Sequence, residues 1–263
     1  MAPCIGFLLE ATLAFPPDHN KDALIHGLPV PLSAENRLGE DLAASRVDHV
    51  PLIKSVNLST PAAARTGIDK RPVTEPVEVR APGPKGIGGS GLVGDRIHKL
   101  KHHGGDDQAV YAYAREDLDL WAAELGRPLT DGMFGENLTT TGIDVTNALI
   151  GERWRIGAQL VLEVSVPRIP CSVFASWMDE RGWVKTFTQR AIPGAYLRVI
   201  TPGTVTAGDS VDVVDRPEHD VTIGLAFRAL TTERDLLPRL LAADALPEEA
   251  KEDARKRWVR GTL

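Results

Sequence analysis

Six short runs of this chain either alternate apolar with polar residues or are apolar throughout, and each is bounded by Gly, Pro or Asp. They are Val50 to Leu58, Val73 to Val79, Ala109 to Tyr113, Gln159 to Val166, Tyr196 to Ile200 and Ser210 to Val214. A period of two puts neighbouring side chains on opposite faces of an extended backbone, so these runs predict β-strands. Thr139 to Thr141 adds a polar strand. Between them, Leu118, Trp121, Ala122 and Leu125 recur at i, i+3, i+4 and i+7, with Gly126 where a left-handed cap belongs, which predicts a surface helix over 115–125. Gly94-Asp95, Gly151-Glu152 and Gly208-Asp209 supply turn chemistry beside the strands. The fold class expected is mostly β with peripheral helices, a barrel-like curved sheet.

Past Arg216-Pro217 the period changes. Ile223, Ala226, Phe227 and Leu230 form one helical stripe, and Leu236, Leu237, Leu240 and Leu241 form another after the candidate capping box Thr232-x-x-Asp235, with Pro238 expected to kink or shorten it. A third helix begins at Pro247, carries Glu248 and Glu249 where the helix dipole favours anions, and ends in Lys251, Arg255, Lys256 and Arg257 where it favours cations. Residues 1–46 hold no sustained period and several prolines, so they read as a poorly ordered extension. The organisation expected is an extension over 1–46, a β domain over 47–215 and a small helical subdomain over 216–263.

Composition narrows the class. With 43% hydrophobic and 25% charged residues, the chain can bury a real core. A net charge of −6 argues against a nucleic-acid surface, while leaving room for a local basic pocket around a small anion. Two cysteines, Cys4 and Cys171, provide neither a disulfide framework nor a Cys-x-x-Cys pair, which suits a reducing, cytoplasmic setting. No run approaches the about 18 apolar residues of a membrane span, and Glu10 and Pro16-Pro17 spoil a signal peptide.

The most informative stretch is Val164 to Cys171. An apolar strand ends in Pro167-Arg168-Ile169-Pro170-Cys171, where two prolines stiffen the turn and a guanidinium accompanies a thiol. A thiolate is both nucleophile and soft-metal ligand; a thiol that merely caps a strand as a small buried hydrophobe is the plain alternative. In Lys99 to Gln108, adjacent His102 and His103 point to opposite faces of an extended chain and lack zinc-ligand spacing. A loop around an anionic ligand fits better, with Gly104 and Gly105 letting backbone amides approach it. Gly86-Ile87-Gly88-Gly89-Ser90-Gly91 spells G-x-G-x-x-G, but no helix opens after it, so it reads as a loop and not a dinucleotide fingerprint. In Gly132 to Leu138, Glu136 and Asn137 carry hydrogen-bonding groups that suit a heterocycle edge, or an ordinary polar hairpin.

Taken in order, Thr66-Gly67-Ile68-x-Lys70, Gly94-Asp95, His102-His103-Gly104-Gly105, Ala109 to Tyr113, Gly135-Glu136-Asn137-Leu138 and Pro167-Arg168-x-Pro170-Cys171 resemble a MOSC domain, the C-terminal domain of molybdenum-cofactor sulfurase. The resemblance spans about residues 50–215 and is greatest to the stand-alone bacterial branch associated with resistance to N-hydroxylated bases, whose helical tail is also similar. It implies a β-rich, barrel-like fold that binds molybdenum cofactor, with Cys171 on the metal as the catalytic ligand. Lys70, His102, His103 and Arg168 would then hold cofactor phosphate and pterin with help from Gly104 and Gly105, while Glu136 and Asn137 line the pocket. One departure stands out: family members often have Gly-x-x-Gly-Trp-Tyr where this chain has Gly194-Ala195-Tyr196, which implies a missing aromatic wall and a wider pocket.

The activity implied is reduction of small N-hydroxylated compounds such as hydroxylaminopurines. Without a flavin, haem or iron–sulfur signature, electrons must come from a partner protein. The competing reading is a carrier of the cofactor, or of sulfur as a Cys171 persulfide, without turnover of its own. No pyridoxal-phosphate lysine domain accompanies the chain, so desulfuration of free cysteine within it is unsupported.

Overall fold

The computed structural model describes residues 50–60 and 66–261. The proposed extension over 1–46 lies outside them. Among the described residues ten strands form in chain order: β1 (Leu52–Ser59), β2 (Lys70–Val73), β3 (Val77–Val79), β4 (Val110–Ala114), β5 (Leu138–Thr141), β6 (Arg153–Ile156), β7 (Leu160–Pro167), β8 (Ala195–Thr201), β9 (Gly203–Val205) and β10 (Val211–Asp215). Among the same residues five α-helices join them, α1 (Arg115–Leu125), α2 (Ser172–Met178), α3 (Trp183–Arg190), α4 (Ile223–Thr231) and α5 (Glu248–Gly261), with 3-10 helices at Asp106–Gln108 and Arg234–Ala242.

Eight strands make one mixed sheet in the order β10-β6-β7-β8-β4-β5-β1-β2, and β3 pairs with β9 apart from it. Only the β4–β5 pair is parallel. The sheet is strongly curved and is not a closed ladder. It meets itself at one corner, where the Ile53 amide donates to the Asp209 carbonyl (2.8 Å) and the Val211 amide to that of Pro51 (2.9 Å). The fold is mostly β with peripheral helices, as the alternation implies.

Each predicted strand is present, with one division. The run Val73 to Val79 splits into β2 and β3, which belong to different sheets, because Pro76 interrupts it and offers no amide to a ladder. Helix α1 has the predicted bounds, and Gly126 closes it in the left-handed region (φ 63°). The candidate capping box at Thr232 does not form. Thr232 terminates α4, whose real N-cap is Thr222, its hydroxyl accepting from the Leu225 amide (3.0 Å).

Alternation on β4 and β8 builds two cores. Val110, Ala112, Ala195 and Leu197 face a central core shared with Trp154, Ile156, Leu162 and the apolar faces of the C-terminal helices. Tyr111, Tyr113 and Tyr196 face the other way, into an aromatic cluster with Trp121, Phe134, Phe174, Trp183 and Phe187. There Phe134 meets Phe174 edge-on at 5.2 Å and Trp121 stacks on Phe187 at 5.9 Å. Helices α2 and α3, which bring Phe174, Met178, Trp183 and Phe187 to this cluster, follow the turn after β7 directly and so fix where residue 171 lies.

Candidate functional site

Strand β7 ends at Pro167, paired with Ala195 of β8, and the chain turns sharply into α2 with Cys171 as its N-cap residue. Arg168 folds inward from this turn. Its guanidinium carbon lies 3.7 Å over the Phe174 ring and 5.2 Å from the Tyr111 ring centroid, and Nη1 donates to the Phe134 carbonyl at 2.6 Å. Arg168 is only 7% exposed, and no carboxylate pairs with it among the described residues. A buried cation without a counter-charge is costly, so this arrangement calls for an anion.

Cys171 is half-buried at the edge of the aromatic cluster, within electrostatic reach of Arg168 and Tyr196. Burial, opposed by Arg168, holds the Tyr111 and Tyr196 hydroxyls above the ordinary tyrosine range. Both are neutral donors near pH 7, and Tyr111 donates to the Pro193 carbonyl at 2.7 Å. Helix α2 is fastened to the 132–136 turn by Trp177 Nε1, which donates to the Met133 carbonyl at 2.8 Å. The thiol therefore rides on a braced element.

That turn is held from within. Glu136 is fully buried; its Oε1 accepts from the Gly132 amide (2.6 Å) and the Thr139 hydroxyl (3.0 Å), and its Oε2 from the Phe134 amide (3.0 Å). Burial pushes its carboxyl up to about 7 despite these donors. Asn137 bonds the Tyr111 and Asn57 backbones and donates to Asp95 Oδ2 at 2.9 Å. Asp95 also accepts from the Ser59 amide (2.9 Å) and pairs with Lys70 at 2.5 Å, the two side chains being 0% and 6% exposed. Burial raises the Asp95 carboxyl, but the Lys70 charge and the hydrogen bonds outweigh it and hold the group below the usual carboxylate range.

The predicted residues thus fall into two sets. Cys171, Arg168 and His103 share one electrostatic neighbourhood. Lys70, Glu136 and Asn137 lie behind it, buried and hydrogen-bonded to the protein, and they connect to Arg168 through the Phe134 peptide, whose amide bonds Glu136 and whose carbonyl bonds Arg168. His102 is exposed and His103 half-buried. Burial lowers the His103 imidazole below its ordinary range, and the charges of Arg168, His102, Lys85 and Lys99 push it further the same way.

Gly104 and Gly105 depart from the expected role of offering amides to a ligand. Their amides donate to Gln108 and to the Gly89 carbonyl. They are glycines because the loop packs against residues 83–89: a Cβ on Gly104 would lie 2.7 Å from the Gly89 oxygen, and one on Gly105 would lie 2.6 Å from the Lys85 nitrogen. The expectation of a missing aromatic wall is also corrected. Ala195 faces the central core, and the aromatic wall comes from Tyr196, Tyr111 and Phe174. Residue pattern alone did not single out these three as site residues; the available signal was Tyr111 and Tyr196 at matching places on two predicted strands, which stand opposite each other in register.

A model of the MOSC domain matches residues 99–212, which include the His102-His103 loop, the Glu136-Asn137 turn and Cys171. YflK of Bacillus subtilis (strain 168) is 31% identical over 218 residues, covering 79% of this chain and 95% of that protein. The chain belongs to the MOSC domain family. YiiM of Escherichia coli (strain K12) is 32% identical over 179 residues, covering 66% of this MOSC protein and 79% of the relative. The crystal structure of YiiM from Geobacillus stearothermophilus superposes with a TM-score of 0.65 at 29% identity, covering 79% of this chain and 99% of that one. A Gibberella moniliformis protein named "Reductase" is 33% identical over 139 residues, and the match covers 24% of its length.

The MOSC domain is associated with molybdenum-cofactor binding generally. The residues here fit such a group: a half-exposed soft donor beside a buried guanidinium with no carboxylate partner among the described residues suits an anionic, sulfur-coordinated metal. Among the described residues no three His, Cys, Asp or Glu side chains gather as a metal cage. No helix among them is long and apolar enough to cross a membrane.

Proposed function

We propose that this MOSC protein binds molybdenum cofactor with Cys171 as the protein ligand to molybdenum, and reduces N-hydroxylated bases or related compounds there. The observation that carries the reading is the half-exposed Cys171 beside Arg168, a buried cation with no carboxylate partner among the described residues. When bound, the molybdenum centre supplies two-electron oxygen-atom chemistry. Arg168 neutralises negative charge at the thiol and, stacked on Phe174, holds one orientation. Half-buried His103 and exposed His102 line the approach. Lys70, Glu136 and Asn137 act through the turn that positions Arg168.

Each turnover converts an N-hydroxyl group and two protons to an amine and water, and takes two electrons from a donor protein. Tyr196, whose hydroxyl stays protonated, stands within electrostatic reach of Cys171 and can hold one of those protons. The reductase-named relative supports a redox reading. The test is turnover of 6-hydroxylaminopurine by wild type and Cys171→Ser with an artificial reductant. Loss of turnover in Cys171→Ser alone is the expected result. Equal turnover in both defeats the assignment, and cofactor bound without turnover in wild type makes the protein a carrier.

A further inference from the structure

The loop that carries His102 and His103 takes its shape from outside itself. Its backbone turns left-handed at Lys99 (φ 58°), Gly104 (φ 81°) and Gly105 (φ 80°), a costly conformation for a lysine, so the segment depends on fastenings to its surroundings. At its far end the fastening is Asp107. The Asp107 carbonyl accepts from the Ser165 hydroxyl of β7 (2.5 Å), and Asp107 Oδ1 accepts from Arg198 of β8, from Nε at 3.0 Å and from Nη2. Ser165 lies three residues before Arg168, so this fastening is made beside the turn that carries the thiol.

Arg198 is built to hold. It stands opposite Glu163 in the β7–β8 register, its Nη1 donates to Glu163 Oε1 at 2.7 Å, and its Nη2 also donates to the Ala245 carbonyl at 3.2 Å ahead of α5. Arg153 Nε reaches Glu163 Oε2 at 2.9 Å, so Arg153, Glu163, Arg198 and Asp107 form a charge-balanced row running from β6 to the loop. The Arg198 side chain is 22% exposed and that of Asp107 47%, so the sheet supplies the fixed partner and the loop the one that is drawn to it. Alternation puts Arg198 on the same side of β8 as Tyr196, which walls the site. With Nε, Nη1 and Nη2 all donating within the protein, Arg198 serves the loop and not a ligand.

We infer that Arg198 is a positioning residue for the proposed reaction: through Asp107 it holds the His102–His103 loop at the mouth of the Cys171 site and so sets the affinity for substrate. The inference rests on the function proposed above. Arg168 and Cys171 are braced separately, by the Phe134 carbonyl and by Trp177, so a loosened loop spares the cofactor end of the site.

Kinetics of 6-hydroxylaminopurine reduction by the full-length, cofactor-loaded protein with an artificial reductant, for wild type, Arg198→Gln, Asp107→Asn and the double variant, test this. Losing a charge-assisted contact shifts the loop toward its open form about tenfold or more, and KM rises in proportion as the open form prevails. Each single variant should raise KM about tenfold with kcat and molybdenum content kept, and since both remove one shared contact the double variant should also rise about tenfold and not about a hundredfold. Asp107→Asn leaves Arg198 its bonds to Glu163 and Ala245, so it carries the test if Arg198→Gln folds poorly. Hydrogen exchange gives a readout apart from turnover. In Asp107→Asn the Gly105 amide should exchange about tenfold faster, while the Gly151 amide, bonded to the Val164 carbonyl at 2.7 Å, is unchanged. An unchanged KM in both single variants overturns the inference, as do additive rises in the double variant, and equally faster exchange at both amides reduces Arg198 to a stability residue. Wild type without turnover defeats the function reading instead, and the exchange comparison then decides whether Arg198 holds the loop.

Discussion

Replacing Lys70 by methionine separates a framework role for this cation from a ligand-binding one. The ammonium is 6% exposed and lies 2.5 Å from Asp95, whose side chain is 0% exposed. In Lys70→Met the carboxylate keeps the Ser59 amide and Asn137 Nδ2, both at 2.9 Å, but loses its counter-charge. Breaking a buried pair from one side costs about 3–5 kcal/mol, and these donors, together with the Ser90 hydroxyl, place this case near the lower figure. For a domain of this size, about 2–4 °C per kcal/mol gives a Tm drop of roughly 6–12 °C at pH 7 by calorimetry. Neutralising both partners in Lys70→Met/Asp95→Asn recovers a large part of it, a coupling of about 2 kcal/mol or more.

The pH dependence has a definite sign. Asp95 is held below its ordinary pKa, so its contribution in wild type is present above about pH 4 and is lost as pH falls through the lowered value. Without Lys70 the buried carboxyl rises and accepts a proton earlier, so the gap between wild type and variant narrows in acid. A Tm within about 2 °C of wild type, together with loss of bound pterin, would refute the reasoning and return Lys70 to the ligand.

Glu136 has the opposite sign: its folded pKa of about 7 lies above the ordinary 4.5, so its contribution is present below about pH 4.5 and is lost as pH rises through 7. Urea unfolding of wild type across that range should show a loss of roughly 3 kcal/mol that Glu136→Gln lacks, and an identical slope in the variant counts against the burial argument. Gly194→Ala places a Cβ 2.5 Å from Tyr113 Cδ2 and 2.7 Å from the Ala112 oxygen at φ +68°, with an expected cost above about 2 kcal/mol. Gly126→Ala, at φ +63° with nothing within 4 Å, isolates the backbone part at about 1 kcal/mol; equal costs for the two would show that the clash at Gly194 is relieved.

Strands and the long helix were legible because their periods are local. Leu118, Trp121, Ala122 and Leu125 announce α1, and Tyr111 and Tyr113 announce β4, without knowledge of any neighbour. Helices α2 and α3 were not legible, since each spans barely two turns and they are divided by Asp179 and Gly182, both at positive φ. The short strands β6 and β9 carry too few residues to show a period. At the site, the turn chemistry picked out Cys171 and Arg168 because it lies within five residues. The division of labour between them and Lys70, Glu136 and Asn137 depends on partners up to 80 residues away, such as Asn57 for Asn137. Polar residues in a glycine-rich loop look alike in sequence whether they face a ligand or brace a turn. Burial alone distinguishes them.

The most direct measurement is molybdenum and pterin per chain in protein purified from a cofactor-competent host, for wild type and Cys171→Ser side by side. The thiol-and-guanidinium account predicts both, near one per chain, in wild type, with molybdenum falling away in the serine variant while its Tm is kept. Wild type free of molybdenum and pterin, or a serine variant that holds molybdenum as firmly as wild type, contradicts it.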